Sequence, residues 1–381
     1  MLRRCVLVLA AAAALTACGS DASRHSAAGV VQVSVSACGH GWSGGRAGVQ
    51  HLVVTDTDSR AGAVDLVAAS TGAVYAEVEP LAPGTSDTMT ADLGAGRYAL
   101  RCLMEDEPAV TGPVVTLTGK HRGLTPGVAP VSQGDLVPAT KAYERYVAGR
   151  LPHLGELVGR LDADVAAGRL AAARTDWLAA HLAYLGLGAA YSAFGNLDAA
   201  IDARADGLPL GVHDPSWTGL HRIEYGLWHR EPAAGLRPVT HGLVEAVDRL
   251  QQQFAHAQLD PAEIAIRAHE ITEDAVEFAL TGRDDYGSHS ALASVRADVD
   301  ATRTVLDLVR PLLVPRFPGL AGVDAQLRRT AADLDALRRG GPWPALAALT
   351  LAARERIDAD VSELAERLAP VAAVLEPRRT S

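Results

Sequence analysis

Apolar positions change their period along this chain. In the first third they alternate with polar residues, as in Val31-Gln32-Val33-Ser34-Val35, and similar runs recur at 51–57, 73–78, 97–103 and 113–118. Turn signals such as Ala82-Pro83-Gly84 and Gly94-Ala95-Gly96 separate them. Short period-two runs broken in this way predict a small β-sandwich over 30–119. Glycine and proline then interrupt every pattern over 120–138, which marks a linker. Beyond it the apolar residues recur at helical spacing in a stretch rich in Ala, Leu, Arg, Asp and Glu. Helices are predicted near 139–167, 169–193, 215–229, 239–257, 261–281, 289–311, 322–339 and 344–368, an all-α domain over 139–376.

The predicted helix over 215–229 carries the sharpest chemistry. Asp214 suits its N-cap and Pro215 its first position. Trp217, Leu220, His221, Glu224 and Trp228 share one stripe, so His221 and Glu224 point inward with the tryptophans. A buried carboxylate is costly unless it is paired or holds a metal. The same three-residue spacing places Glu and His on metals inside helical bundles. Spacing alone leaves open a ligand pair or a satisfied internal His–Glu pair, since His153 and Glu156 repeat the motif in a surface context. In the helix over 261–281, His269 and Glu273 lie on a second apolar stripe with Ile266, Val276 and Leu280. They pair with each other or face the His221–Glu224 helix.

Composition and the first residues set the compartment. Arg3 and Arg4, an apolar run over 5–15 and the box Leu15-Thr16-Ala17-Cys18 predict an export leader over 1–17 with lipid attachment at Cys18. An ordinary signal peptide cut nearby is the alternative. Residues 18–29 are small and polar and suit a tether. No later segment is long and apolar enough to cross a bilayer, so anchoring would rest on lipid. Loss of Arg3 and Arg4 moves the net charge from −10 to −12, which disfavours nucleic acid and anionic membrane surfaces as partners and favours cations. Processing leaves Cys38 and Cys102, for which a disulfide is the expectation and metal ligation the alternative.

Longer motifs point to a family. Phe194-Gly195-Asn196-Leu197-Asp198, Ile201-Asp202-Ala203-Arg204, the run from Trp217 to Glu224, Tyr286-Gly287-Ser288-His289 and Leu306-Asp307-Leu308-Val309-Arg310-Pro311 resemble the imelysin-type domain of EfeO-type iron-uptake lipoproteins, over 139–370. The N-terminal region is similar to the cupredoxin-like domain of the longer members, through Cys38, Ala82-Pro83-Gly84, Met89-Thr90-Ala91 and Cys102. The resemblance implies a cupredoxin-like β-sandwich followed by an all-α domain of two four-helix bundles, with a His-x-x-Glu site in the cleft between the bundles. It implies an exported, membrane-anchored transport component rather than an enzyme, in the periplasm or on the outer face of the plasma membrane. Such a component binds ferrous or ferric iron and delivers it to a permease, beside a haem-containing peroxidase-like protein.

Carried over residue by residue, the metal site comprises His221 and Glu224, with Asp202 and Glu273 as companions. One imidazole with carboxylates suits iron. Many relatives carry glutamates where this chain has Leu185 and Gly188, which puts a second metal site in doubt and weakens Asp202 as a ligand. In the β region Cys102 precedes Leu103, Met104 and Glu105 with no histidine before His121, so a blue-copper ligand set is missing. Cys38, Cys102, Asp65 and Glu79 are the candidate ligands there, with copper as a candidate ion. Two other readings compete. Imelysin-type proteins have been classed with peptidases, but residues 269–273 read His-Glu-Ile-Thr-Glu and Tyr225 stands where an inverted zinc motif needs histidine. The third reading is a binding module without metal, in which His221 and Glu224 are a structural pair.

Overall fold

The computed structural model describes residues 30–378; the leader over 1–17, Cys18 and the tether over 18–29 lie outside them. The chain divides into two compact units, one built on residues up to Asp65 with Ala76–Glu107 and Thr111–Thr125, the other on the remainder. Among the described residues the first region has nine strands: β1 Val30–Val33, β2 Gly45–Arg46, β3 Gly48–Asp56, β4 Gly62–Ala68, β5 Val74–Leu81, β6 Ser86–Leu93, β7 Gly96–Met104, β8 Val110–Thr111 and β9 Val115–Thr118. One sheet has the order β1-β3-β6, with β1 parallel and β6 antiparallel to β3. The other has the order β2-β9-β7-β4-β5, with β8 paired to β7. This β fold fits a cupredoxin-like domain. Two strands escape the pattern read from the sequence. All of Ala63–Val67 in β4 is buried, so no alternation marks it, and Asp65 is inside. In β6 only Met89, Ala91 and Leu93 alternate inward, behind a polar start.

The second region is all-α, as predicted, with ten helices: α1 Gln133–Ala166, α2 Leu170–Leu185, α3 Tyr191–Phe194, α4 Asn196–Asp202, α5 Gly219–Trp228, α6 Ala233–Phe254, α7 Glu263–Asp274, α8 Ala291–Leu313, α9 Leu320–Arg338 and α10 Leu351–Leu375. One group packs α1, α2, α5 and α6; another packs α7, α8, α9 and α10; α8 also rests on α1 and α2. Caps move several predicted ends. The Ser132 hydroxyl accepts from the Asp135 N–H while the Asp135 carboxylate accepts from the Ser132 N–H, so α1 begins inside the expected linker. Thr350 caps α10, which therefore starts after the prolines at 342 and 344. The helix expected at Pro215 starts instead at Gly219, because Asp214 accepts from the N–H and hydroxyl of Ser216 and closes a turn. Gly219 has φ +84°, and a Cβ there would stand 2.3 Å from the Ile201 carbonyl oxygen. Only glycine lets α5 begin hard against α4. Among the described residues no helix is long and apolar enough to cross a membrane.

Candidate metal centre

Three helices bring their polar groups to one point. On α2, Trp177, His181 and Tyr184 form a buried stripe, and the Trp177 ring stacks on His181 with centroids 5.1 Å apart. The indole N–H of Trp177 donates to the Leu220 carbonyl at 2.8 Å, which ties α2 to α5. From α5, His221 enters between the rings of His181 and Tyr286, at centroid distances of 5.4 and 5.3 Å. At the end of α4, Asp202 Oδ1 lies 3.7 Å from His181 Nδ1 and 3.7 Å from His221 Nε2. Both distances are too long for hydrogen bonds. Asp202 Oδ1 and His181 Nδ1 are sealed from solvent, and no hydrogen bond reaches either of them.

The other sides of the rings explain this. His221 Nδ1 lies 3.4 Å from Glu224 Oε2, and the second oxygen of Glu224 accepts from the N–H groups of Tyr286 and Ser288 at 2.9 and 3.0 Å. Glu224 is 1 % exposed and does not line the cavity; it holds His221 by its far nitrogen. His181 Nε2 lies 3.2 Å from Ser294 Oγ, whose hydroxyl has the Ser290 carbonyl to donate to. With N–H placed toward Glu224 and toward Ser294, both neutral rings turn lone pairs on the Asp202 carboxylate. Three acceptors facing one another require a cation or a proton between them. Orientation of a ligating histidine through its other nitrogen is the usual outer support of a metal site.

These atoms edge a cavity of about 90 Å³ that also takes in Asp274, Asp284 and Asp298. Asp298 is buried, and desolvation together with the charges of Asp284, Asp274 and Asp202 raises its carboxyl well above the usual range. Desolvation also raises Asp284, against the pull of the two histidines. Burial works against the Asp202 carboxylate too, but His221, His181 and Arg204 outweigh it and hold Asp202 below the ordinary value. Burial likewise opposes charge on His221, yet Asp202 and Glu224 lift it above 6.5.

Two imidazoles and one carboxylate form a donor set that suits ferrous iron and leaves positions open. Two ligand atoms each about 2.1 Å from one ion stand about 3.0–3.6 Å apart. The observed 3.7 Å gaps are close to that range. Among the described residues no three His, Cys, Asp or Glu side chains are drawn together tightly enough to enclose an ion as they stand.

The structure thus brings together His221 and Asp202 from the expected set and puts Glu224 behind His221. Glu273 is not among them: its side chain is 55 % exposed and pairs with His269 at 3.3 Å. The helix turns Ile271 and Asp274 toward the cavity, and a π-turn over Ala275–Ala279 shifts the stripe beyond them. His181 was not anticipated, although its spacing from Trp177 and Tyr184 marks it as inward. Leu185 and Gly188 line the cavity.

The β-region candidates do not converge. Cys38 and Cys102 form a disulfide, so neither is a thiolate ligand, and the copper reading loses its two sulfur donors. Asp65 is buried against Arg101, with Oδ2 2.6 Å from Nη2. Glu79 lies exposed on β5.

A model of the imelysin family matches residues 139–371. The protein named iron uptake system component EfeO in Escherichia coli (strain K12) is 28 % identical over 303 residues, which cover 79 % of this chain and 80 % of that protein. The proteins of that name in Shigella flexneri and Escherichia coli O157:H7 match to the same extent.

Proposed function

The chain belongs to the imelysin family, and from that premise we propose that it is the iron-binding component of an iron uptake system, which holds iron outside the membrane and delivers it to a permease. The observation that carries this reading is the set of lone pairs on His181 Nδ1, His221 Nε2 and Asp202 Oδ1, facing one another without a hydrogen bond between them. Iron is the substrate here. His181, His221 and Asp202 bind it, Glu224 and Ser294 orient the two rings, and the raised acids around them exchange protons for the ion as it leaves. The names of the relatives support the transport role. A leader over 1–17, lipid attachment at Cys18, a β domain over 30–119 and a helical domain over 139–376 complete the proposal, with the permease and a haem-containing peroxidase-like protein as partners.

The matching family model carries a peptidase class name. Hydrolysis needs a general base for a metal-bound water; Glu224 is already engaged by two backbone N–H groups and His221, so that role would fall to the aspartates of the cavity.

Anaerobic calorimetric titration with ferrous chloride tests the proposal. The native chain is expected to bind one iron, and a His221→Ala/Asp202→Ala double variant that keeps its circular dichroism is expected to bind none. Equal binding by both would move the site elsewhere. Absence of binding by the native chain would leave His221 and Glu224 as a structural pair.

A further inference from the structure

One group in the cavity is left unexplained by iron alone. Arg204, two residues beyond Asp202, lines the same cavity as His181 and His221. Its guanidinium carbon lies 3.5 Å from the centroid of the Phe278 ring, a cation–π contact. Its Nε is sealed from solvent, and among the described residues Arg204 has neither a hydrogen bond nor an ion pair. The second arginine of the cavity differs. Arg267 donates through Nε and Nη2 to the Gly188 carbonyl and pairs with Glu270 at 2.7 Å. An arginine that pairs with none of four nearby aspartates keeps its flat, two-pronged donor edge for something else. A donor such as Nε, hidden from water without an acceptor, is costly.

Coordination and size narrow the partner. In the reading above His181, His221 and Asp202 give an iron ion three donors, so it keeps open positions. A water molecule takes about 10–15 Å³ measured in this way, so 90 Å³ holds roughly six to nine. That admits an ion with an oxyanion of a few atoms.

We propose that the cavity takes iron paired with a small planar oxyanion of the carbonate class, one edge of the anion on the ion and the other on the Arg204 guanidinium. The inference rests on the iron-binding reading above. It makes iron affinity depend on the anion.

The test is iron binding by the full chain under anaerobic conditions. Ferrous chloride is titrated at one pH and matched free-ion concentration, in carbonate-free buffer and with added bicarbonate. Bicarbonate is expected to tighten binding by the native protein about tenfold. In R204Q the enhancement disappears, and binding without bicarbonate becomes tighter than native, because a positive charge has left the neighbourhood of the ion. In R204K the charge stays but the two-pronged edge is lost, so the enhancement shrinks without that gain. Equal affinity in the two buffers overturns the anion and leaves the iron site standing. R204Q weakened alike in both buffers also overturns it, since Arg204 would then serve the fold. No iron binding in either buffer overturns the underlying reading instead.

Discussion

In the β region, the buried groups that read as metal ligands each have a protein partner: Cys38 is bonded to Cys102, and Asp65 is bound to Arg101. In the helical region His181, His221 and Asp202 turn acceptors toward one another, and their outer sides are held by Ser294 and Glu224. Both regions bury chemically able side chains. What differs is whether their bonding capacity is used up within the fold. Burial of an ionisable group is thus no sign of function by itself; capacity left unmet by the surrounding protein is the better one.

The largest test of this contrast falls on the β side. The Cys38–Cys102 bond closes a loop with a sequence separation of 64, so Cys38→Ser/Cys102→Ser is expected to cost about 4 kcal/mol of stability. Denaturant unfolding reads the loss, and iron stoichiometry is expected to stay unchanged. A fall in bound iron would break the comparison. On the helical side, Glu224→Gln keeps the shape of the side chain but removes the charge that faces His221 Nδ1. Iron affinity is expected to drop about 10–100-fold, the range for outer supports of metal ligands, with thermal unfolding little changed. A large loss of stability with unaltered iron binding would make Glu224 part of the core instead.

The smallest effect is in pH. Burial opposes the His221 imidazolium, but Asp202 and Glu224 outweigh burial and raise its pKa above 6.5. A raised pKa in the folded state means that the proton stabilises the metal-free fold. That contribution is present in full below 6.5 and is lost as pH rises through the folded value. Iron must displace the same proton, so its affinity is expected to rise over the interval in which the metal-free protein loses stability. Melting temperature and iron affinity measured from about pH 6 to 8 should therefore move in opposite directions. Parallel trends would show that His221 is not where proton and metal compete.

Much of the fold is legible in residue patterns. The change of period near residue 120 separates strand from helix, and the stripe through Leu220, His221 and Glu224 is buried as read. Helix ends were harder, because Asp214 can cap a helix or close a turn with Ser216, and local sequence serves both. Part of the site was legible as well. His221 and Asp202 sit in motifs, while His181 stands alone on an apolar helix with no chemical neighbour in sequence. Glu273 lies on the outward side of α7, paired with His269, because Ile264, Ala268 and Ile271 form the buried side of that helix.

The sequence by itself determined the two periodicities, the inward direction of His221 and Glu224, and the family. Those properties reside in spacing along one element, where 3.6 or two residues per repeat fix which side chains share a face. Only the tertiary structure decided that Glu224 supports rather than faces the cavity, that Asp202 stands 3.7 Å from two histidines on different helices, and that Arg204 Nε has no hydrogen-bond acceptor among the described residues. These are relations between elements. They depend on where α2, α4 and α5 come to rest against each other, which packing of the whole region sets.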